Sequence, residues 1–453
     1  MHYADFVICA RDWRNGEFQV EVIGSPVDRM RLPEHVCYDE AVLTQLLHNL
    51  EEKHIYGEDL FALGEALADL LLPPRVREML TRSLESVGPD QGLRMRLVLD
   101  DPPLANLPWE YVYLRRTGGE KTWADFLILD PRISLVRHEA IPISPGSVTA
   151  TRPLKMVVGL SGPSDAPKLD LAAEGEFIES ALQDVAGVEV TFVEHLTAEK
   201  LEAACQGAHL FHFAGHGWFD SKDERAGVGS IMLEDCEGYI HLFPAENLAL
   251  TLRGAGVRLA VLGACESGRR DGINLWSGVA PALMRAGIPG AIAMQYEIYD
   301  ESAIAFARRF YQSLATGLSL DEAVAAGRLG IFNKGGPYNV DWGVPVLYMR
   351  SPDGVVFPEV AADPFLEESR EGLRVEVRQQ ATELSGKLIG AQIGEVTEGA
   401  IEVEQRIAAV TESGEAIGLE VERLGGGSVE TDQRIEKVDE GGSVTGAKID
   451  KLG

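Results

Sequence analysis

Two residues of this chain have the types and the setting to act together. His216 closes the apolar run HLFHFAG and is followed by Gly217. Cys265 closes the run VRLAVLGA and is followed by Glu266, Ser267 and Gly268. Each is a reactive side chain at the end of a hydrophobic strand, where a small-residue turn exposes it while the backbone stays rigid. An imidazole beside a thiol is the usual pairing for nucleophilic catalysis, the first removing the proton of the second. Chain order restricts the chemistry further. Cys265 lies 49 residues after His216, and no histidine follows His241. The hydrolase order, with the base after the nucleophile, and the papain-like order are therefore both excluded. A His-before-Cys peptidase order remains.

Other chemistries fit less well. His209, His212 and His216 are close in sequence, but residues 209 and 212 of a strand face opposite ways and do not share one ion readily. They read as packed or hydrogen-bonded sheet residues, and no metal or other cofactor is expected. No GxxxxGK[ST] occurs, and no GxGxxG follows a strand, so phosphate-loop chemistry has no sequence support. Cys205 reads as helical, and Cys236 as part of the hairpin SIMLEDCEGYIHLF. Neither has a partner imidazole, so both read as structural.

These residues need elements to hold them. From 151 to 352, apolar runs (KMVVGL, VEVTFV, HLFHFAG, VRLAVLGA, PGAIAMQ, VPVLYM) alternate with helical patterns such as AAEGEFIESALQDV and ESAIAFARRFYQSLATG. That alternation predicts an α/β fold, a mainly parallel sheet flanked by helices, with its site at the carboxyl ends of the strands. Residues 1–75 read as a small α+β unit: two strands around the turn RNG, then helices near 38–52 and 60–72. Residues 76–150 read as antiparallel strands leading into the main domain, because apolar and polar residues alternate between Pro and Gly punctuation. The segment 365–453 contains consecutive 14-residue units with Ile or Val at the tenth position and Val or Leu at the thirteenth, such as Ile407/Val410 and Ile435/Val438. Fourteen residues is two heptads, so a helical or coiled-coil tail is expected there. Residues 384–453 are the expected surface for a partner or for self-association.

The motifs HFAGHG and LGACESG resemble those of the CHAT family of caspase-related proteases. The resemblance extends upstream through LPWEYVYL and downstream to DWGVPVLYM, roughly residues 90 to 350. It implies a caspase-like fold, a His216–Cys265 dyad, endopeptidase activity on a protein substrate, and a role in bacterial defence or signalling. The mechanism it implies uses the backbone N–H groups of Gly217 and Cys265 as the oxyanion hole. Asp300 and Glu301, just before a helix, are candidates to line a specificity pocket for a basic residue; the alternative for Asp300 is helix capping. The chain departs from the family in two ways. It shows no tetratricopeptide period, and it carries Gly263 two residues before the cysteine, where relatives specific for basic residues often have Asp. A catalytically silent binding module of the same fold is the competing reading.

Composition bounds the rest. A net charge of −30 argues against direct nucleic-acid binding, which needs clustered Lys and Arg. Five cysteines, an odd number without a CxxC pair, do not make a disulfide framework. No stretch reads as a signal peptide or a membrane span, so a cytoplasmic protein without membrane contact is expected.

Overall fold

The computed structural model describes residues 1–357, except 89, 100, 116–119, 139–151, 184, 186, 221–227 and 265–277, and six strands between 373 and 449. Two compact units result, residues 1–359 and 360–453. Cys265 lies outside the described residues.

The first unit is built on one sheet. It begins with β1 (His2–Arg14), β2 (Glu17–Gly24) and β3 (Glu34–Cys37), then α1 (Glu40–Glu51), α2 (Glu58–Leu71) and α3 (Pro74–Ser86). Next come β4 (Gln91–Leu99), the short α4 (Pro102–Ala105) and β5 (Ile133–Arg137). The alternation expected from sequence follows: β6 (Leu154–Leu160), α5 (Leu171–Leu182), β7 (Val188–Val193), α6 (Ala198–Cys205) and β8 (Leu210–Gly215). A three-stranded excursion, β9 (Gly217–Asp220), β10 (Val228–Glu234) and β11 (Ile240–Pro244), precedes α7 (Ala245–Ala255) and β12 (Leu259–Ala264). The unit closes with α8 (Val279–Ala286), β13 (Gly290–Met294), α9 (Asp300–Ala315), α10 (Leu320–Gly335) and β14 (Pro345–Met349). All six apolar runs read from the sequence between 151 and 352 are strands.

The sheet order is β3-β2-β1-β4-β5-β14-β13-β12-β8-β6-β7. Its pairs are parallel except β1/β2, β2/β3 and β13/β14. Helices cover both faces because the buried strands are apolar on both sides. On β8, Phe211 and Phe213 pack with α6, α7 and α8, whereas Leu210 and Ala214 join the core of α5 and α9. The strands of residues 1–37 belong to this same sheet.

Residues 76–150 differ from expectation. LRMRLVL and ISLVR are strands, but β4 pairs in parallel with β1 and with β5 rather than antiparallel. The intervening segment travels back over the sheet, as a parallel connection requires. Its prolines at 102, 103 and 108 cannot donate to a ladder, so PPLANLPWEYVY coils into short helical turns that bury Trp109 and Tyr111 completely. The alternating arginines of β4 are buried too. Arg94 grips Asp321 of α10 with two bonds, at 2.9 and 2.6 Å, and Arg96 reaches Asp5 of β1 at 2.9 Å.

The tail is a second correction. Residues 373–449 form strands, Leu373–Leu384, Lys387–Val396, Gly399–Val410, Glu415–Leu424, Ser428–Val438 and Ser443–Ile449, where a helix was expected. They make two three-stranded parallel sheets of alternate strands. Lys387 pairs with Glu415 and Glu415 with Ser443, so one rung spans two of the 14-residue units. The repeat length was legible; its element type was not. Helix-breaking glycines separate the units, and β-branched residues alternate inside them, as at Val375/Val377 and Ile401/Val403, which is the period of a strand.

Candidate functional site

The chain runs from β6 outward to the edge strand β7, then returns to β8 on the other side of β6. The loops leaving β6 and β8 therefore separate at a switch point, where open α/β sheets keep a crevice. His216 follows β8 directly, at that crevice. Gly215 must be glycine: a Cβ there would lie 2.7 Å from the Phe213 ring and 2.8 Å from the Ser161 carbonyl. The two strand ends can approach because that side chain is missing. Ser161 N–H then donates to the Ala214 carbonyl at 3.0 Å.

His216 is buried, and its Nε2 lies 2.7 Å from the Pro167 carbonyl oxygen. A carbonyl only accepts, so Nε2 carries a proton, and Nδ1 is the nitrogen that holds the lone pair in the matching tautomer. The loop that presents Pro167 is fastened to the β10–β11 hairpin. Ser164 N–H donates to the Gly238 carbonyl at 2.9 Å, and Asp165 Oδ1 accepts from Ile240 N–H at 2.7 Å. At the loop's start, Gly162 N–H donates to buried Glu234 at 3.0 Å. His216 is held from the other side by its own carbonyl, which accepts from Met232 N–H at 2.9 Å. Gly217, buried, opens β9 opposite Ile231. No residue type in the sequence marks the Pro167 partner of His216. A backbone acceptor leaves no residue-type signal, and the only trace is the turn-rich run SGPSDAP after β6.

A cavity of about 790 Å³ adjoins these strand ends on the α5/α9 face. Its floor includes His212, Val261 and Gly263 from β8 and β12, and Tyr311 from α9. His212 is bonded through Nδ1 to the Tyr311 hydroxyl at 2.7 Å. Burial drives its pKa down to about 4, so it stays neutral at ordinary pH. His209 bonds elsewhere, accepting from Lys155 N–H at 3.0 Å. Asp300 lines the cavity's exposed rim; Glu301 is not among the lining residues and stands exposed, 3.6 Å from Lys334. The residue at the cap position of α9 is Tyr299, without a side-chain cap bond, so Asp300 is the first helical residue rather than the cap. Among the described cysteines, Cys205 is buried with its thiol pushed up to about 12, and Cys236 is exposed in the expected hairpin.

The CHAT domain family model matches residues 62–349, more than half of the chain. This chain belongs to the CHAT family. The matched span ends on the last residue of β14 and leaves outside it β1–β3, which share the sheet, and α1, whose end lines the cleft. No curated protein matches the chain. Two structures of the Saccharomyces cerevisiae separase–securin complex are similar to it at 14% and 13% identity, each with a TM-score of 0.34. The likeness covers 69% and 72% of this chain but only 22% and 21% of those chains. So slight a likeness carries nothing about the CHAT domain beyond itself. No helix among the described residues is long and apolar enough to cross a membrane.

Proposed function

We propose that this CHAT domain is a cysteine endopeptidase with His216 as general base and Cys265 as nucleophile, acting on a protein substrate in bacterial defence or signalling. The observation that carries the reading is a register. β8 and β12 are parallel neighbours, and Gly215 pairs with Ala264, the last residues of the two strands. The next residue of each strand in sequence is His216 and Cys265. Successive residues of in-register parallel strands stay side by side, so a dyad needs only that the chain continue for one step.

The chemistry follows from the tautomer. His216 Nδ1 takes the thiol proton, and the resulting thiolate attacks the scissile carbonyl carbon. The imidazolium is stabilised by the Pro167 carbonyl dipole. The oxyanion is bound by the N–H groups of Gly217 and Cys265, each such donor being worth about 10²–10³ in rate. Collapse breaks the C–N bond, with Nδ1 returning the proton to the leaving amine. Water, deprotonated by the same nitrogen, then hydrolyses the thioester. Around the cleft, Glu51, Glu52, Asp170, Glu174, Glu297 and Asp300 outnumber Lys53 and Lys168. This acidic excess favours a basic substrate segment, with Asp300 facing its side chain.

The test is labelling by an iodoacetamide-type probe, combined with cleavage of a mixed peptide pool. Cys265 should be labelled fastest at neutral pH, His216→Ala should slow that labelling, and Cys265→Ala should stop cleavage. Cleavage that persists in Cys265→Ala refutes the proposal.

A further inference from the structure

Lys53 stands outside the matched family span, at the end of α1, yet it reaches the wall of the cleft. Its ammonium lies 3.5 Å from the centroid of the Tyr299 ring and 3.2 Å from Oδ1 of Asp341. Asp341 is fully buried. Its other oxygen accepts from Tyr299 N–H at 2.9 Å. Oδ1 has no hydrogen bond among the described residues, so the misaligned but close ammonium is what neutralises it. Lys53 and Asp341 thus hold Tyr299 by its ring and by its backbone. The next residue, Asp300, opens α9 at the cleft rim. The turn is costly for what it contains: Lys53 has φ 55, a left-handed conformation in which glycine is the cheap residue. The lysine that occupies it has its side chain engaged by both Tyr299 and Asp341.

We propose that Lys53 is a positioning residue for the specificity wall of the cleft, clasping Tyr299 against Asp341 so that Asp300 is held ready for a cationic side chain. The proposal rests on the peptidase reading for the substrate it names, but not for the clasp itself. It makes α1 part of the site. Glu51 and Glu52, on the same turn, add negative charge to the same wall. A buried carboxylate that loses its partner is not tolerated quietly, since it must gain water, a proton or a new neighbour. Each of those outcomes moves the backbone N–H that it holds.

The experiment compares the full chain with Lys53→Met, Lys53→Arg and a control lysine outside the cleft lining, Lys121→Met, whose ammonium pairs with Glu58 and Glu65. Hydrogen exchange is followed at the Tyr299 amide, and peptides ending in Arg or in Gln at the cleaved bond are assayed. Lys53→Met should speed exchange at Tyr299 about threefold to fivefold, as loss of one partly exposed cation–aromatic contact would. It should raise KM for the Arg peptide by a similar factor, leave kcat within about twofold, and leave the Gln peptide unchanged. Lys53→Arg should restore most of both effects, and Lys121→Met should show neither. An unchanged Tyr299 amide in Lys53→Met overturns the clasp, whether or not the chain cleaves anything. A loosened amide with an unchanged KM for the Arg peptide overturns the specificity role alone. If the unmodified chain cleaves no peptide and Cys265 resists labelling, the peptidase reading fails, and the specificity role with it, while the amide still decides the clasp.

Discussion

His212 and His216 stand four residues apart, one inside β8 and the other just past its end. The interior imidazole is walled in by Tyr311 and the α9 core, and desolvation drives its pKa down to about 4. Its Nδ1 is already engaged, and packing determines its place. The terminal imidazole is anchored through Nε2 by the Pro167 carbonyl of the neighbouring loop, and in the proposed dyad its opposite nitrogen is the base. On that proposal the same residue type takes two roles, because one position lies within the sheet and the other just past its edge. The contrast explains why such sheets keep chemistry at the carboxyl ends of their strands. The interior side chain is kept neutral by its surroundings, while the terminal one is oriented by the neighbouring loop.

The strongest way to break this contrast is to remove the edge residues. His216→Ala and Cys265→Ala should each lower kcat/KM by about 10⁴-fold or more, and the double variant should be barely worse than either, since the two act as a unit. Circular dichroism should show the fold intact. If His212→Gln lowered cleavage as severely as His216→Ala at pH 7.5, the assignment of roles along β8 would be reversed.

The second effect is smaller and concerns the cleft rim. Asp300→Asn should weaken cleavage after Arg or Lys by about tenfold, as loss of one partly screened charge would. Glu301→Gln should stay within about twofold, because an exposed pair such as Glu301–Lys334 contributes little. Equal effects would show that the rim acts by net charge and not by position. Mapping of the cleaved bonds by mass spectrometry measures both variants together.

His212 offers a pH signature of its own. Its native pKa, about 4, lies below the ordinary value of 6.5, so the unfolded chain binds the proton more tightly. The stabilisation is complete above pH 6.5 and is lost as pH falls towards 4, by about 3 kcal/mol from this group. Urea midpoints measured between pH 4 and 7 should fall less steeply in His212→Gln than in the unmodified chain. Parallel curves would mean that the interior imidazole does not titrate as its burial dictates.

The ends of β8 at Gly215 and of β12 at Ala264 were readable before the structure, from apolar runs closed by small residues. Three things were not legible, each for a physical reason. The Pro167 acceptor is a main-chain oxygen, and every residue has one. Lys53 acts from a segment whose pattern announces only a helix end, and its value depends on Tyr299 and Asp341, hundreds of residues away. The parallel pairing of β4 and β5 was hidden because Arg94 and Arg96 resemble a solvent face, although both are buried against carboxylates and carbonyls.

The smallest expected effect on catalysis comes from the tail. Every described cleft residue lies within residues 1–359, one compact unit. A chain ending at Glu359 should therefore cleave a short peptide within about twofold of the full rate. Its association should change. The repeat stacks each strand on one 28 residues away, as at Lys387 and Glu415, and units of that kind bury their apolar residues mainly against neighbouring rungs. Stacked parallel strands also present unpaired donors and acceptors at the ends of the ladder, a natural template for another copy or partner. Light scattering on both chains at several concentrations measures this directly. The full chain should show a larger, concentration-dependent mass and the shortened one a single monomer mass. Equal masses with equal cleavage would make residues 360–453 a spacer, and control of the peptidase would then have to be sought within the first unit, at the turn that carries Lys53.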